Sequence, residues 1–217
     1  MLKERAEAME RTRRRITSAT VELHQSVGPA QTSVTEIARR AGVDRVTVYR
    51  HFPDDAALFR ACSADFSTRN PPPDAAEWTE ITDPRERLRR ALRALYGYYE
   101  QTEPMLSNVL RDAETMPALR EAVAYRSQWL ARVEERLAQD WDGDVGQVRH
   151  AIAIAADFRT WQMLVRKRRL NPDEAIRLML AMVQGAAATK FDQLPLLRRN
   201  ERRLAAGPCE PCTLPVS

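Results

Sequence analysis

SVTEIARRAGVDRVTVYRHF, residues 33–52, reads as two short helices joined by a tight turn. Ser33 is placed to cap the first helix, with Glu36 completing a capping box, while Ile37, Ala38 and Ala41 supply its inner face. Gly42 is the predicted stop, because glycine accepts the left-handed backbone that ends a helix and turns the chain. Val43 plugs the corner, Asp44 caps the next helix, and Val48 and Phe52 face inward from it. A small side chain at Ala38, under the crossing of the two helices, together with Gly42 and Val48 gives helix-turn-helix spacing. Arg45, Val46, Thr47, Tyr49, Arg50 and His51 remain outward. Such a face offers cationic forks for guanine edges, polar groups for phosphates and methyls for thymine. An ordinary helical hairpin with a solvated basic face has the same spacing.

The flanking residues extend the pattern. Ile16, Ala19, Thr20, Leu23 and Val27 recur at helical spacing and end at Gly28, and Asp54 opens a further helix carrying Leu58, Phe59 and Phe66. With these in place the chain resembles the TetR family of one-component transcriptional regulators over roughly residues 11–60. ITSATVELHQSVG, TEIARRAGVDRVTVYRHF and PDDAAL carry the resemblance. It implies an all-α fold, in which an N-terminal three-helix helix-turn-helix domain is joined by a connector helix to a C-terminal helical ligand-binding and dimerisation domain. The implied activity is that of a homodimeric repressor that binds a palindromic DNA operator and is released by a small-molecule effector. Position by position, the resemblance assigns Arg45, Val46, Tyr49 and Arg50 to base edges or the groove wall, and Thr47, Tyr49 and His51 to phosphates. Ser33 and Thr35, at the start of the preceding helix, are also matched to phosphate. The chain departs from the family at Asp55 and Ala56, where a lysine beside the DNA backbone followed by a polar residue is common.

The chain has 217 residues, 44% hydrophobic and 29% charged, as expected of a water-soluble globular protein. Its net charge is only +4, yet Arg11, Arg13, Arg14, Arg15, Arg39, Arg40, Arg45 and Arg50 all fall in the first quarter, which points to a polyanionic partner. Cations at 11–15 oppose the macrodipole near a helix start, which either a phosphate partner or a solvated leader would resolve. No apolar run approaches membrane-spanning length, and MLKERAEAMERTRRR lacks the apolar core of a secretory signal, so a cytoplasmic location is expected. The three cysteines have no framework spacing, in keeping with a reducing compartment.

Four units are expected: a frayed extension over 1–10, the helix-turn-helix domain over 11–57, a helical effector-binding and dimerisation domain over 58–193, and a disordered tail over 194–217. The connector helix should run to about Arg69, where NPPPD breaks it. Asp83-Pro84-Arg85-Glu86 then opens a helix with Leu88, Leu92, Leu95, Tyr96 and Tyr99 inward. A short helix from about Met105 and a long one from about Pro117 to Gln139 follow. The last two helices are placed at Val145 to Arg168 and Pro172 to about Phe191, antiparallel because Asn171-Pro172-Asp173-Glu174 leaves only a short connection. Both are apolar over a wide arc, which suits either an internal core or a surface covered by a second subunit; an operator reader of this size needs two copies. Cys209 and Cys212 form a lone C-x-x-C without a second ligand pair, and Cys62 reads as a small buried hydrophobe.

Candidate effector contacts are Tyr99, Arg126, Trp129, Asp157, Phe158 and Trp161, in a region that also holds Tyr96 and Tyr98. Rings of this kind suit either core packing or a cavity for an apolar or aromatic compound. His150, Ala153, Asp157, Thr160 and Trp161 fall along one arc of a continuous helix, and a buried Asp157 needs a partner, for which Arg126 serves as a salt bridge or the two orient a ligand. His24, His51 and His150 lie on three separate helices with no metal spacing, so no metal, cofactor or catalytic activity is expected. A helical adaptor, using the basic hairpin for protein contacts, is the competing reading.

Overall fold

The computed structural model describes residues 2–189. The chain runs through α1 (Leu2–Ser26), a 3-10 turn (Pro29–Gln31), α2 (Val34–Ala41), α3 (Arg45–His51), α4 (Asp55–Arg69) and α5 (Ala76–Thr79). It continues with α6 (Pro84–Asp112), a second 3-10 turn (Pro117–Leu119), α7 (Arg120–Leu137), α8 (Val145–Ala156), α9 (Phe158–Trp161), a π-helical turn (Gln162–Lys167) and α10 (Pro172–Ala188). No strand occurs among the described residues. The expected tail with Cys209 and Cys212, and Phe191, lie outside them.

The first core joins Ile16, Ala19 and Leu23 of α1 to Ile37, Ala38 and Ala41 of α2, Val48 of α3, Phe52, and Leu58 of α4. These are the inner faces expected from the hairpin, and α1–α3 form an N-terminal helix-turn-helix unit. Val27 is the exception: it lies beyond the end of α1 and is 44% exposed. The first ten residues extend α1, which is helical from Leu2, and an i,i+4 pair of Glu10 with Arg14 stabilises its exposed start. α4 connects this core to a small cluster of Val21, Cys62, Phe66 and Met105, where α1, α4 and α6 meet.

The larger C-terminal core is built on Leu88, Leu92, Leu95, Tyr96 and Tyr99 of α6, Leu130, Val133 and Leu137 of α7, and the inner faces of α8 and α10. α6 replaces the two helices expected here. It runs unbroken through Pro104, although an internal proline removes a hydrogen bond and crowds the preceding turn. Burial of Tyr99 and Thr102 before the proline, and of Met105 and Leu106 after it, offsets that cost.

The capping box expected at Ser33 and Glu36 is half formed, and so is the one at Asp83 and Glu86. Ser33 accepts from the Glu36 N–H and Asp83 from the N–H groups of Arg85 and Glu86. The Glu36 carboxylate instead pairs with Arg39, and that of Glu86 with Arg89 and Arg90, because a cation on the next turn competes for it. Asn171 and Glu174 make both halves, even though Arg177 stands one turn on. α8 and α10 are neighbours, and Gly143, just before α8, sits against the backbone of Ala187 at the end of α10, so the two run antiparallel as expected.

The single helix expected from Val145 to Arg168 is broken at Asp157, whose backbone is extended at φ −72° and ψ 139°. Its carboxylate caps α9, accepting from the N–H groups of Arg159 at 2.8 Å and Thr160 at 3.0 Å. On the other side of the break, the hydroxyls of Tyr96 and Tyr99 donate to the carbonyls of Ala155 at 2.9 Å and Ala156 at 2.5 Å. Those carbonyls would otherwise be orphaned in the core, so the two tyrosines of α6 make the break affordable.

Candidate nucleic-acid interface and ligand cavity

The hairpin is held from both ends. Gly42 adopts φ 63° and ψ 43°, its N–H returns to the carbonyls of Ala38 and Arg39, and the Val43 N–H reaches Ala38 O at 3.0 Å. The Arg15 guanidinium donates to the carbonyls of Ala41 and Gly42, so a Cβ at Gly42 would lie 2.8 Å from it as well as straining the left-handed backbone. Arg13 donates to the His51 carbonyl at 3.2 Å and lies 4.4 Å over the Phe52 ring. These two arginines of α1 therefore place positive charge at the C-terminal ends of α2 and α3, where the helix dipoles favour it. This differs from both readings of the leader arginines, for it is the fold itself that uses Arg13 and Arg15.

α3 presents Arg45, Val46, Tyr49 and Arg50 to solvent, with Val46 76% exposed, while Thr47 and His51 are half-buried at its edges. Asp44 caps the helix through the Thr47 N–H at 2.6 Å, and that bond holds its carboxyl below the usual range. Arg39 and Arg40 of α2 are neutralised by Glu36 and Glu22. Among the described residues no carboxylate lies within ion-pair distance of Arg45 or Arg50, so α3 carries the uncompensated charge of the hairpin. His51 is held below the usual imidazole value, first by burial and then by Arg50 and Arg13, which leaves it neutral and able to donate one hydrogen bond. Ser33 is spent as the cap of α2 at 3.1 Å from the Glu36 N–H, and Thr35 is exposed one residue inside the helix. The eight residues expected at DNA thus lie on two adjoining helices.

A cavity of about 500 Å³ opens between α4, the second half of α6, the second 3-10 turn and α7. Tyr99, Arg126 and Trp129 are on its wall. Phe158 and Trp161 are not; they pack against the Tyr99 ring at 5.5 and 6.0 Å within the core. Asp157 is the α9 cap, and it forms no ion pair with Arg126, whose guanidinium lies 5.8 Å over the Tyr99 ring instead. The arc from His150 to Trp161 does not exist as a helix face, because the break rotates its second half.

Sequence reading missed Phe59 and Phe66 of α4 and His24 of α1 as wall residues. The signal was present in α4, where Phe59, Cys62 and Phe66 repeat at i, i+3 and i+7, too apolar a stripe for a mere connector. His24 is 3% exposed, with Nδ1 3.5 Å from the Cys62 sulfur and its ring 5.4 Å from that of Phe59. Burial lowers its pKa to about 4, against the opposing charge of Asp112, and pushes the Cys62 thiol up to about 12. Beside it the end of α6 grips the end of α1. Asn108 donates to the carbonyls of His24 at 2.9 Å and Gln25 at 3.0 Å, and Asp112 accepts from the Ala30 N–H at 2.9 Å and from Arg111 at 2.7 Å.

The neutral His24 has a measurable consequence. The unfolded chain takes up a proton near pH 6.5, whereas the folded one resists until about pH 4, so this contribution is present above 6.5 and is lost as pH falls through that window. The loss is expected to reach roughly 3 kcal/mol by pH 4. Urea midpoints at pH 7 and pH 4.5 should therefore differ by clearly less in His24→Gln than in the parent; equal differences would show that His24 titrates normally.

Comparison with known proteins agrees with this geometry. The family of bacterial regulatory proteins, tetR family, matches residues 16–62. No curated protein matches the sequence. Among solved structures, NalD of Pseudomonas aeruginosa, the secondary repressor of the MexAB-OprM multidrug efflux pump, is 25% identical, with a TM-score of 0.61 over 85% of this chain and 99% of that one. A tetR-family regulator from Streptomyces coelicolor is 18% identical, with a TM-score of 0.57 over 90% and 97% of the two chains. A TetR-like regulator from Rhodococcus sp. RHA1 is 20% identical, with a TM-score of 0.57 over 82% and 97%. The latter two likenesses concern the fold alone.

Proposed function

This chain belongs to the TetR family of bacterial DNA-binding transcriptional regulators, and from that premise we propose that it is a homodimeric repressor released from a palindromic operator by a small-molecule effector. The observation that carries the reading is the outward face of α3, where Arg45, Val46, Tyr49 and Arg50 are exposed and, among the described residues, neither arginine forms an ion pair, on a hairpin braced by Arg13 and Arg15. Rigid placement of two guanidinium forks and a methyl-bearing side chain suits base edges in a major groove. Repression is favoured over activation by the likeness to NalD, itself a repressor. No helix among the described residues is long and apolar enough to cross a membrane, and action on DNA requires a cytoplasmic protein.

Dimerisation is assigned to α8 and α10. Ile154 on α8 and Leu178 and Met182 on α10 are 51%, 44% and 43% exposed, and Ala181 and Gly185 continue the same stripe of α10. Paired recognition helices would then lie about 34 to 36 Å apart, one turn of DNA. The cavity is assigned to the effector. α4 forms part of its wall through Phe59 and Phe66, and also reaches the hairpin core through Leu58, so a ligand that displaces α4 moves the DNA-reading unit. The domain division proposed is accordingly 11–57 and 58–193, with α4 as the shared element.

Gel-shift with the DNA flanking the protein's own gene tests the reading against that of a protein-binding adaptor, which would show no sequence preference. One departure from the family bears on affinity. Asp55 is exposed in the first turn of α4, next to the cap Asp54, where its charge suits the dipole but repels phosphate. Asp55→Lys is expected to tighten operator binding and to steepen its salt dependence by about one unit per subunit. An unchanged slope would place residue 55 away from DNA.

A further inference from the structure

Given that the cavity is the effector site, its charge pattern narrows the class of effector. Its wall is mostly ring and aliphatic surface, from Phe59, Phe66, Tyr98, Leu106 and Trp129. Three charged side chains reach it. Arg60 and Glu121 neutralise one another across 3.7 Å near solvent. Arg126 is different: it is half-buried, and among the described residues it makes no ion pair and donates no hydrogen bond, its neighbour being the face of the Tyr99 ring at 5.8 Å. That ring is itself immobilised, with its hydroxyl on the Ala156 carbonyl and Phe158 and Trp161 behind it. His24, on the same wall, is neutral and adds no charge.

A guanidinium beside an apolar cavity has lost part of its water without gaining an anion. Its five donors are arranged as a fork that matches a planar carboxylate, and the low dielectric of the surroundings strengthens the attraction to any anion that enters. The ring-lined remainder of the cavity rewards an apolar or aromatic body. From this we infer that the effector is an amphipathic monoanion, a single acidic head on an apolar, ring-bearing body, and that Arg126 reads the head. A neutral or cationic compound of the same shape leaves the guanidinium unpaired or repelled, so Arg126 sets the specificity as well as the orientation.

Two dyes of nearly the same body separate the head from the body: anilinonaphthalene sulfonate, which is anionic, and N-phenylnaphthylamine, which is neutral. Their binding is followed by fluorescence titration of the full-length protein. Arg126→Leu and Arg126→Gln are expected to weaken the sulfonate by about tenfold while changing the neutral dye by less than about twofold, and Arg126→Lys should restore part of the loss. Ala122→Trp, which fills the cavity from α7, should weaken both dyes. If the cavity-filling variant weakens both dyes but neither Arg126 variant affects the sulfonate selectively, the charge inference is overturned and the effector cavity stands. If Ala122→Trp leaves both dyes unaffected, or neither dye binds the parent protein, the effector reading of the cavity falls and the inference with it.

Discussion

Replacing Met182 with glutamate is expected to turn the proposed dimer into a folded monomer and to lower operator affinity by at least about a hundredfold, the scale lost when two linked binding events become independent. Met182 lies on the solvent face of α10, four residues from Leu178 and three from Gly185, and makes no part of the internal core. A carboxylate there is hydrated in the monomer but must be buried without a partner when α8 and α10 pack against their symmetry mates, which costs several kcal/mol. Stability of the monomer should therefore be unchanged, while sedimentation shows half the mass. Ile154→Glu on α8 should act in the same direction. A Met182→Glu protein that remains a dimer and binds its operator normally would move the interface elsewhere.

Arg50→Ala should weaken operator binding by about 1 to 3 kcal/mol and relax the preference at one base pair in each half-site. Its guanidinium is exposed at the end of α3 and, among the described residues, forms no ion pair, so its hydrogen-bonding capacity is available to DNA. Arg39→Ala, by contrast, is expected to have a small effect, because Glu36 already occupies that side chain. Arg15→Ala should weaken binding in yet another way, by loosening the turn at Gly42, and its loss should be accompanied by a lower melting temperature. Competitive gel-shifts with the operator and with random DNA distinguish the cases. If Arg50→Ala loses equally on both, Arg50 is a phosphate contact and the base is read from another position on α3.

The helix-turn-helix was legible because its determinants are local. A cap at Ser33, a left-handed stop at Gly42, a second cap at Asp44 and apolar residues at helical spacing act over three or four residues, and each is visible as a letter in the chain. The same holds for the capping box at Asn171 and for the antiparallel return of α10. Where two local signals competed, as when Glu36 and Glu86 chose arginines one turn on over the backbone behind them, spacing alone did not rank them.

What the sequence by itself determined, then, is the class of fold, the outward face of α3 and the faces of the main helices that turn inward. Tertiary structure decided the break at Asp157, since it depends on hydroxyls from Tyr96 and Tyr99, whose distance along the chain from Ala155 and Ala156 is 59 and 57 residues. It decided that Pro104 bends no helix out of existence, because burial on both sides outweighs one lost hydrogen bond. It also decided the use of Arg13 and Arg15, which meet their carbonyl partners only once α1 crosses the hairpin. The cavity is the clearest case of all: its wall takes residues from α1, α4, α6 and α7, and a void between packed helices is defined by what fails to fill it, which no spacing along a single helix records.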